Sequence, residues 1–406
     1  MRGSSRTTGA EVATAARLTA AIAGAVGIAA AAGRIVDRRQ ERREARRDPG
    51  QSRTDLDSRA TLRLAESAPP PDWAGKPRSP TDLHGPTLRF ALRQSVLAFR
   101  ADRCSDLAGS LVYHAVLAVG PAVLVVLAIF GFFSPDAVDA LVQRLQPVQA
   151  TAPSTYDVVT SVIRAASQTP APGVGLALGI AGALWSASGY VRSMGRALNR
   201  VYEVAEGRPV WRRWPEQIAL TIAIVLLAAA GALLLASGGD VVTRIASALG
   251  LAGPAFVVFQ VVRWPLLVLI AATALALLYS FASNVRQPGF RWTSPGAVLA
   301  LIAWALATAG FALYLSVAGG FGSTYGPVAG VVVFVLWLYL TNLALLLGAE
   351  LDAELERARE LQAGMRAEHR IQLPPRDADD VTSRTERRDA TIRSAVRLRE
   401  TRGRVG

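Results

Sequence analysis

Cysteine occurs once in the 406 residues, at Cys104, which leaves no intrachain disulfide and no cysteine-rich metal site. Histidine occurs only at His84, His114 and His369, in three stretches of unlike character, so a histidine-based metal site is not expected. No GxSxG elbow, Walker loop, HExxH pair or paired-carboxylate motif is present. The long apolar runs hold no Asp or Glu cluster of the kind that relays protons across membranes. These absences argue against hydrolases and metalloenzymes; the expectation is a non-enzyme with no cofactor. Lysine is also almost missing. Lys76 is the only one, and the net charge of +13 otherwise rests on arginine.

What is abundant is apolar sequence. Hydrophobic residues make up 51% of the chain and charged residues only 18%, the charges being blocked toward the two ends. From Trp292 to Ala349 run 58 residues without Asp, Glu, Lys, Arg or His. A helix needs about 20 residues to cross the hydrocarbon core, so this block is long enough for two crossings. Backbone polar groups in lipid must pair within their own segment, and the alternation of a barrel is missing, which leaves helices. The fold class expected is all-α: a polytopic transmembrane bundle of six core spans. The spans are Leu107–Phe133, Gly173–Val191, Gln217–Ser237, about Val257–Phe281, and two from the uncharged block, hinged at Gly319, Gly320, Phe321 and Gly322.

Arginine placement sets the orientation. Arg89, Arg93, Arg100 and Arg103 precede the first span; Arg192, Arg196, Arg200, Arg208, Arg212 and Arg213 separate the second and third; Arg286 and Arg291 separate the fourth and fifth. The intervening connections are poor in arginine, so the arginine-rich side and the C-terminus are expected to be cytoplasmic. Arg263, beside Trp264 near the outer end of the fourth span, either snorkels to headgroups or is a buried functional charge.

Outside the core, residues 1–47 hold an Ala/Gly-rich stretch, Leu18 to Ala32, which reads either as an additional span or as a helix on the membrane, followed by an arginine-rich segment. Residues 48–88, with Pro69, Pro70, Pro71, Pro77, Pro80 and Pro86, read as a disordered linker. The membrane domain is expected over 89–350, and 351–406 as a charged tail: a solvated continuation of the last helix that frays beyond Pro374 and Pro375.

Several polar residues stand out within or beside the spans. Tyr113 and His114 lie six or seven residues into the first span, and Asn342 lies eight residues before Glu350, so all three fall at similar depths of roughly 10 Å from the cytoplasmic side at 1.5 Å per residue. They form either a common polar layer or separate packing contacts. Pro121 frees a backbone carbonyl within the first span and is tolerable only where that group is satisfied. Arg192, Arg196 and Arg200, with Asn199 beside them, share the end of the second span; the arginine stripe either clamps lipid phosphates or pairs with Glu350, Asp352 and Glu354. Gly175 with Gly179, and Gly326 with Gly330, are spaced for close helix approach. The basic termini are explained by topology and anionic lipid, so membrane lipids with anionic headgroups are the expected partners and nucleic acid is not.

Four stretches, in order, carry a resemblance: "RADRCSDLAGSLVYHAVLAVGP", "LWSASGYVRSMGRALNRVYEV", "RPVWRRWPEQIALT" and "FGSTYGPVAGVVVFVLWLYLTNLALLLGAELDAELER". Over about residues 86 to 360 the chain resembles the YihY/BrkB family of bacterial inner-membrane proteins, once labelled ribonucleases. The resemblance implies a multi-pass protein of the bacterial cytoplasmic membrane without settled biochemistry. It departs where Tyr113 is followed by His114 instead of a second tyrosine, and where Ala118 replaces a serine before the proline. The function expected is transport or flipping of a lipid or other amphiphile, with Tyr325 marking the outer exit. The alternative is a scaffold that recruits a partner through its charged tail.

Overall fold

The computed structural model describes residues 53–133, 160, 174–236, 254–287, 294–318 and 329–404. The stretch Leu18 to Ala32, the glycine hinge at 319–322 and Tyr325 lie outside the described residues. Nine α-helices form among them: α1 Arg53–Ser67, α2 Gly85–Ala101, α3 Cys104–Phe133, α4 Val174–Val201, α5 Val210–Ala236, α6 Pro254–Phe281, α7 Ser294–Ala318, α8 Ala329–Gln362 and α9 Asp379–Thr401. The only β pairing among the described residues is an isolated bridge between Val285 and Pro375.

Helices α3 to α8 correspond to the six expected spans. Four of them contain stretches long and apolar enough to cross a membrane: Val210–Gly231, Val261–Phe281, Pro295–Ser316 and Ala329–Gln362. The first and second expected spans form as helices of 30 and 28 residues. The six close a ring in chain order, each packing on the next and α8 returning to α3; α4 also touches α6 and α8. Outward-facing side chains are apolar, with Leu306 70% exposed, so this surface is suited to hydrocarbon rather than water.

Close contacts between the helices fall at glycines; of the expected pairs, the surroundings of Gly175, Gly179 and Gly326 lie outside what is described. Gly330 has open space around it, whereas a Cβ on Gly348 would lie 2.4 Å from the Gly296 carbonyl and one on Gly195 2.6 Å from the Ala282 carbonyl. Helix α7 therefore starts directly against α8. Asp352 fixes the start, its Oδ1 accepting from the Gly296 amide at 2.7 Å, so an acid on one helix satisfies an orphan donor in the first turn of another.

The two regions expected to be disordered or solvated instead fold together around the end of α8. Every residue from Gly348 to Glu360 is buried. Over 53–88, the described part of the expected 48–88 linker, there are α1, a 3₁₀ turn at Pro80–Asp82, and a buried Lys76. Lys76 Nζ reaches Glu356 at 2.8 Å and Glu360 at 3.0 Å. Arg359 donates to the carbonyls of Pro77 and Pro71 at 2.8 and 3.1 Å, so the proline-rich stretch supplies acceptors from a backbone that its rings already stiffen. On the other side, Arg357 donates to the Ala367 carbonyl and Glu360 accepts from the Gln372 amide. The tail does not fray after Pro375 either: α9 follows, its start held by the Asp380 amide on the Gly207 carbonyl. Helix α8 continues past Glu350 to Gln362, as its sequence predicts, but inside this cap and not in solvent.

Candidate functional site

The polar residues of the spans do not form one layer. Asn342 is buried and satisfied: its Oδ1 accepts from Tyr190 at 2.9 Å and its Nδ2 donates to the Leu338 carbonyl at 2.8 Å. That is a helix-to-helix packing contact between α4 and α8. Tyr113 faces away from the bundle, 63% exposed. His114 turns toward α4, its Nδ1 2.8 Å from the Ser110 carbonyl and its ring against Gly189. No hydrogen bond links Tyr113 or His114 to Asn342 among the described residues.

What α3 and α4 share is a polar seam that sequence reading missed. Ser110 and Ser193 hydroxyls meet at 3.2 Å, His114 fits against Gly189, and Ser186 donates to the Leu117 carbonyl at 2.7 Å. Leu117 lies four residues before Pro121, so its carbonyl is the acceptor that the proline leaves without an amide. The signal was legible in principle: Ser186, Gly189 and Ser193 recur at helical spacing on one face.

At the charged end, the three stripe arginines have different surroundings. Arg200 Nε lies 3.5 Å from Asp102. Arg192 lies over the Trp185 ring, 5.6 Å from its centroid. Arg196 is exposed, and partial burial followed by the nearby Arg192 and Arg213 charges pushes its guanidinium below the usual range. No ion pair forms at Arg192, Arg196 or Arg213 among the described residues. The expected acidic partners are committed elsewhere: Glu350 accepts from Cys104 at 3.3 Å, Asp352 from Gly296, and Glu354 from Arg357. Trp185 and Trp214 meet edge to face at 5.8 Å beside this arginine group, and Arg212 covers Trp211 at 4.6 Å. The result is a cationic patch edged by indoles where α4 ends and α5 begins.

Asn199 belongs to the architecture behind that patch. Its Oδ1 accepts from the Asn284 amide at 2.6 Å and its Nδ2 donates to Glu206 at 3.1 Å. Asn284 in turn donates to the carbonyls of Ala205 and Asp377, both at 2.9 Å, tying three segments together. Arg208 grips Glu206 with two nitrogens at 3.0 and 2.9 Å and also donates to the Ala282 carbonyl, capping the end of α6. Burial pushes Glu206 upward, but the Arg208 contacts outweigh it and hold the carboxyl below its usual range. Asp377 is likewise held low against burial, by the Asp379 amide and by Arg212 at 2.7 Å. Lys76, Arg208, Asn284 and Gly207 were not foreseen as structural centres. Arg263, by contrast, lies over Trp264 at 5.1 Å.

Comparison with known proteins agrees with this architecture. Residues 95–371 match the family model described as virulence factor BrkB. The chain is 31% identical to a protein named ribonuclease-like, YfkH of Bacillus subtilis, over 62% of this chain and 90% of that one. It is 29% identical to a UPF0761 membrane protein of Pseudoalteromonas translucida, over 62% of this chain and 81% of that one. A UPF0761 membrane protein of Alteromonas mediterranea is 28% identical over 72% of this chain and 95% of its own length. No solved structure matches.

Proposed function

This chain belongs to the virulence factor BrkB family of membrane proteins, and from that premise we propose that it moves an anionic lipid or similar amphiphile between the leaflets of the bacterial cytoplasmic membrane. The observation that carries the reading is the patch of Arg192, Arg196 and Arg213 without acidic partners among the described residues, edged by Trp185 and Trp214. Guanidiniums suit phosphate oxygens, and indoles suit the headgroup level. The α3–α4 seam offers hydroxyl and imidazole groups leading away from the patch into the bundle. In this reading α3 to α8 are six spans, the charged end and the C-terminus are cytoplasmic, and Arg192 and Arg196 receive the headgroup. Asn342 holds α4 to α8, and Tyr113 faces lipid. Tyr325 keeps its proposed place at the outer exit.

The ribonuclease-like name of the Bacillus relative is not carried to this chain. The family match indicates no reaction, and among the described residues no group of three or more His, Cys, Asp or Glu is placed to hold a metal ion.

The test is a reconstituted assay in which dithionite bleaches fluorescent phosphatidylglycerol in the outer leaflet of protein-containing liposomes. Full bleaching, slowed about tenfold or more by Arg192→Gln with Arg196→Gln, is the expected result, each basic residue contributing roughly 1 kcal/mol toward an anionic surface. Bleaching that stops at half with the folded wild-type protein would sink the proposal. A second reading, recruitment of a cytoplasmic partner, draws support from α9, where Ile392 and Leu398 are exposed. Truncation after residue 378 separates the two, because it removes α9 and spares the buried cap.

A further inference from the structure

We propose that His114 makes the arginine-bearing face of α4 selective for phospholipids whose headgroup carries a hydroxyl beside the phosphate: Arg192 takes the phosphate, and His114 Nε2 accepts from the hydroxyl. The inference rests on the lipid reading above, but it concerns recognition and not movement.

Helices α3 and α4 run antiparallel in one register. Asp102 meets Arg200, Ser110 meets Ser193, His114 lies against Gly189, and the Leu117 carbonyl receives Ser186. Arg192 is therefore level with Leu111, about 6 Å inside the expected start of the first span at Leu107, at 1.5 Å per residue. Its guanidinium does not snorkel back toward the charged end. It reaches the other way, over the Trp185 ring at 5.6 Å and toward Gly189. No hydrogen bond or ion pair engages it among the described residues. A charge held at this depth without an acid is the mark of a binding group.

Imidazole and guanidinium meet at Gly189. A Cβ built there would lie 3.1 Å from His114 Cδ2 and 4.0 Å from Arg192 Nη2, so both groups border one point on α4. The hydrogen on His114 is placed by its neighbour: Nδ1 lies 2.8 Å from the Ser110 carbonyl, which can only accept. In the neutral ring Nε2 then presents a lone pair. Nε2, bonded to the Cδ2 that rests on Gly189, has no partner among the described residues and is not sealed in protein. A guanidinium beside a free acceptor suits a phosphate with a hydrogen-bond donor next to it. An ammonium would be repelled, because Arg192, Arg196 and Arg213 form no ion pairs among the described residues. A hydroxyl meets no such penalty, and in a glycerol headgroup one lies two carbons from the phosphate ester oxygen. Trp185 is 61% exposed on one side, and the exposed Tyr113 meets the His114 ring edge to face at 5.3 Å on the other. Such flanks suit a bilayer lipid better than a soluble phosphate ester.

Phosphatidylglycerol and phosphatidylpropanol share charge and headgroup length and differ only in the hydroxyls. The full-length protein, delipidated in detergent, is offered both in equal amounts, and bound lipid is counted by native mass spectrometry. The wild-type protein should prefer phosphatidylglycerol by about fivefold, the worth of one hydrogen bond. His114→Phe should bring the ratio near one while both lipids still bind, and Arg192→Gln should weaken both alike. Equal binding by the wild-type protein would overturn the proposal, as would a preference that survives His114→Phe. Displacement of the lipid by free glycerol phosphate would overturn the lipid assignment and give the site to a soluble ester. A second measurement needs no variant in the binding step: with nitrogen-15 in the histidines, the His114 Nε2 resonance should move on adding phosphatidylglycerol and stay in place with phosphatidylpropanol. An unmoved resonance would count against the hydroxyl contact. Recognition and transport fail separately: selective binding with bleaching that stops at half would sink only transport, and full bleaching without selective binding would sink only this inference.

Discussion

Ser186 donates its hydroxyl hydrogen to the carbonyl of Leu117 at 2.7 Å, and Leu117 is the residue whose carbonyl Pro121 deprives of an intrahelical partner. The proline of α3 is thus matched by a serine on α4. An unpaired carbonyl in a span costs more than one in water, since no solvent is at hand to replace the bond. Ser186→Ala should therefore destabilise the folded bundle by about 1–2 kcal/mol. In a Pro121→Leu background, where an amide is again available to Leu117, the same change should cost little. Unfolding of the four variants in mixed micelles measures the coupling; equal costs in both backgrounds would separate the serine from the proline.

The sole lysine supplies the second prediction. Lys76 is fully buried between Glu356 and Glu360, on a segment that α8 otherwise holds through Arg359 on the Pro71 and Pro77 carbonyls. Lys76→Met leaves two carboxylates facing each other inside the cap, a loss of about 3–5 kcal/mol by analogy with other broken buried pairs. Rapid proteolysis within residues 68–84 is the expected readout. Lys76→Met with Glu356→Gln and Glu360→Gln should recover part of the protection, because the buried charge has then been removed together with its partner. Failure of that recovery would mean that the lysine acts through packing alone.

These two sites mark what the sequence made legible and what it hid. The six long core helices follow from run length, a property of short windows, whereas α1, α2 and α9 do not. Nor does the cap. Lys76 and Glu356 are 280 positions apart, and "ELDAELERARE" taken alone has the mixed charge of a solvated helix. Its burial depends on where residues 68–84 and 363–378 return, which no periodicity reports. Of the four glycines picked out by spacing, the surroundings of Gly330 alone are described, and the close approaches that are described fall at other glycines. Gly330 has open space, while Gly296 and Gly348, each without a near glycine at four residues in its own helix, meet across helices. Likewise the stripe of Arg192, Arg196 and Arg200 was visible, but not that Glu350 and Asp352 were already engaged.

The glycine contact gives a third prediction. A Cβ on Gly296 would fall 2.3 Å from both the Gly348 carbonyl and the Asp352 Cγ. The first is α8 backbone and the second is held by its bond to the Gly296 amide, so neither can yield cheaply. Gly296→Ala should lower the melting temperature of purified protein sharply, while Gly330→Ala, with nothing within 4 Å, should leave it nearly unchanged or slightly raised. Equal effects at both positions would show that helix propensity, not contact, governs.

Acid should release α9 before it disturbs the spans. Glu206 and Asp377 both have carboxyls held below their usual range, Glu206 by Arg208 and Asp377 by the Asp379 amide and Arg212, in each case against burial. A group with a depressed folded value contributes its full stability above the unfolded value, near about pH 4, and loses it as the pH falls through the lower folded value. The attachment of α9 through Asp377 and the Gly207 carbonyl should then be constant from neutral pH down to about pH 4 and weaken below it. Asp377→Asn removes the charge-assisted contact at every pH, so α9 amides should exchange faster already at neutral pH and the acid step should shrink. Hydrogen exchange of residues 379–401 followed from neutral to acid conditions measures both effects. A release centred near neutral pH in the wild-type protein would assign control to another group and leave Asp377 as a passive neighbour.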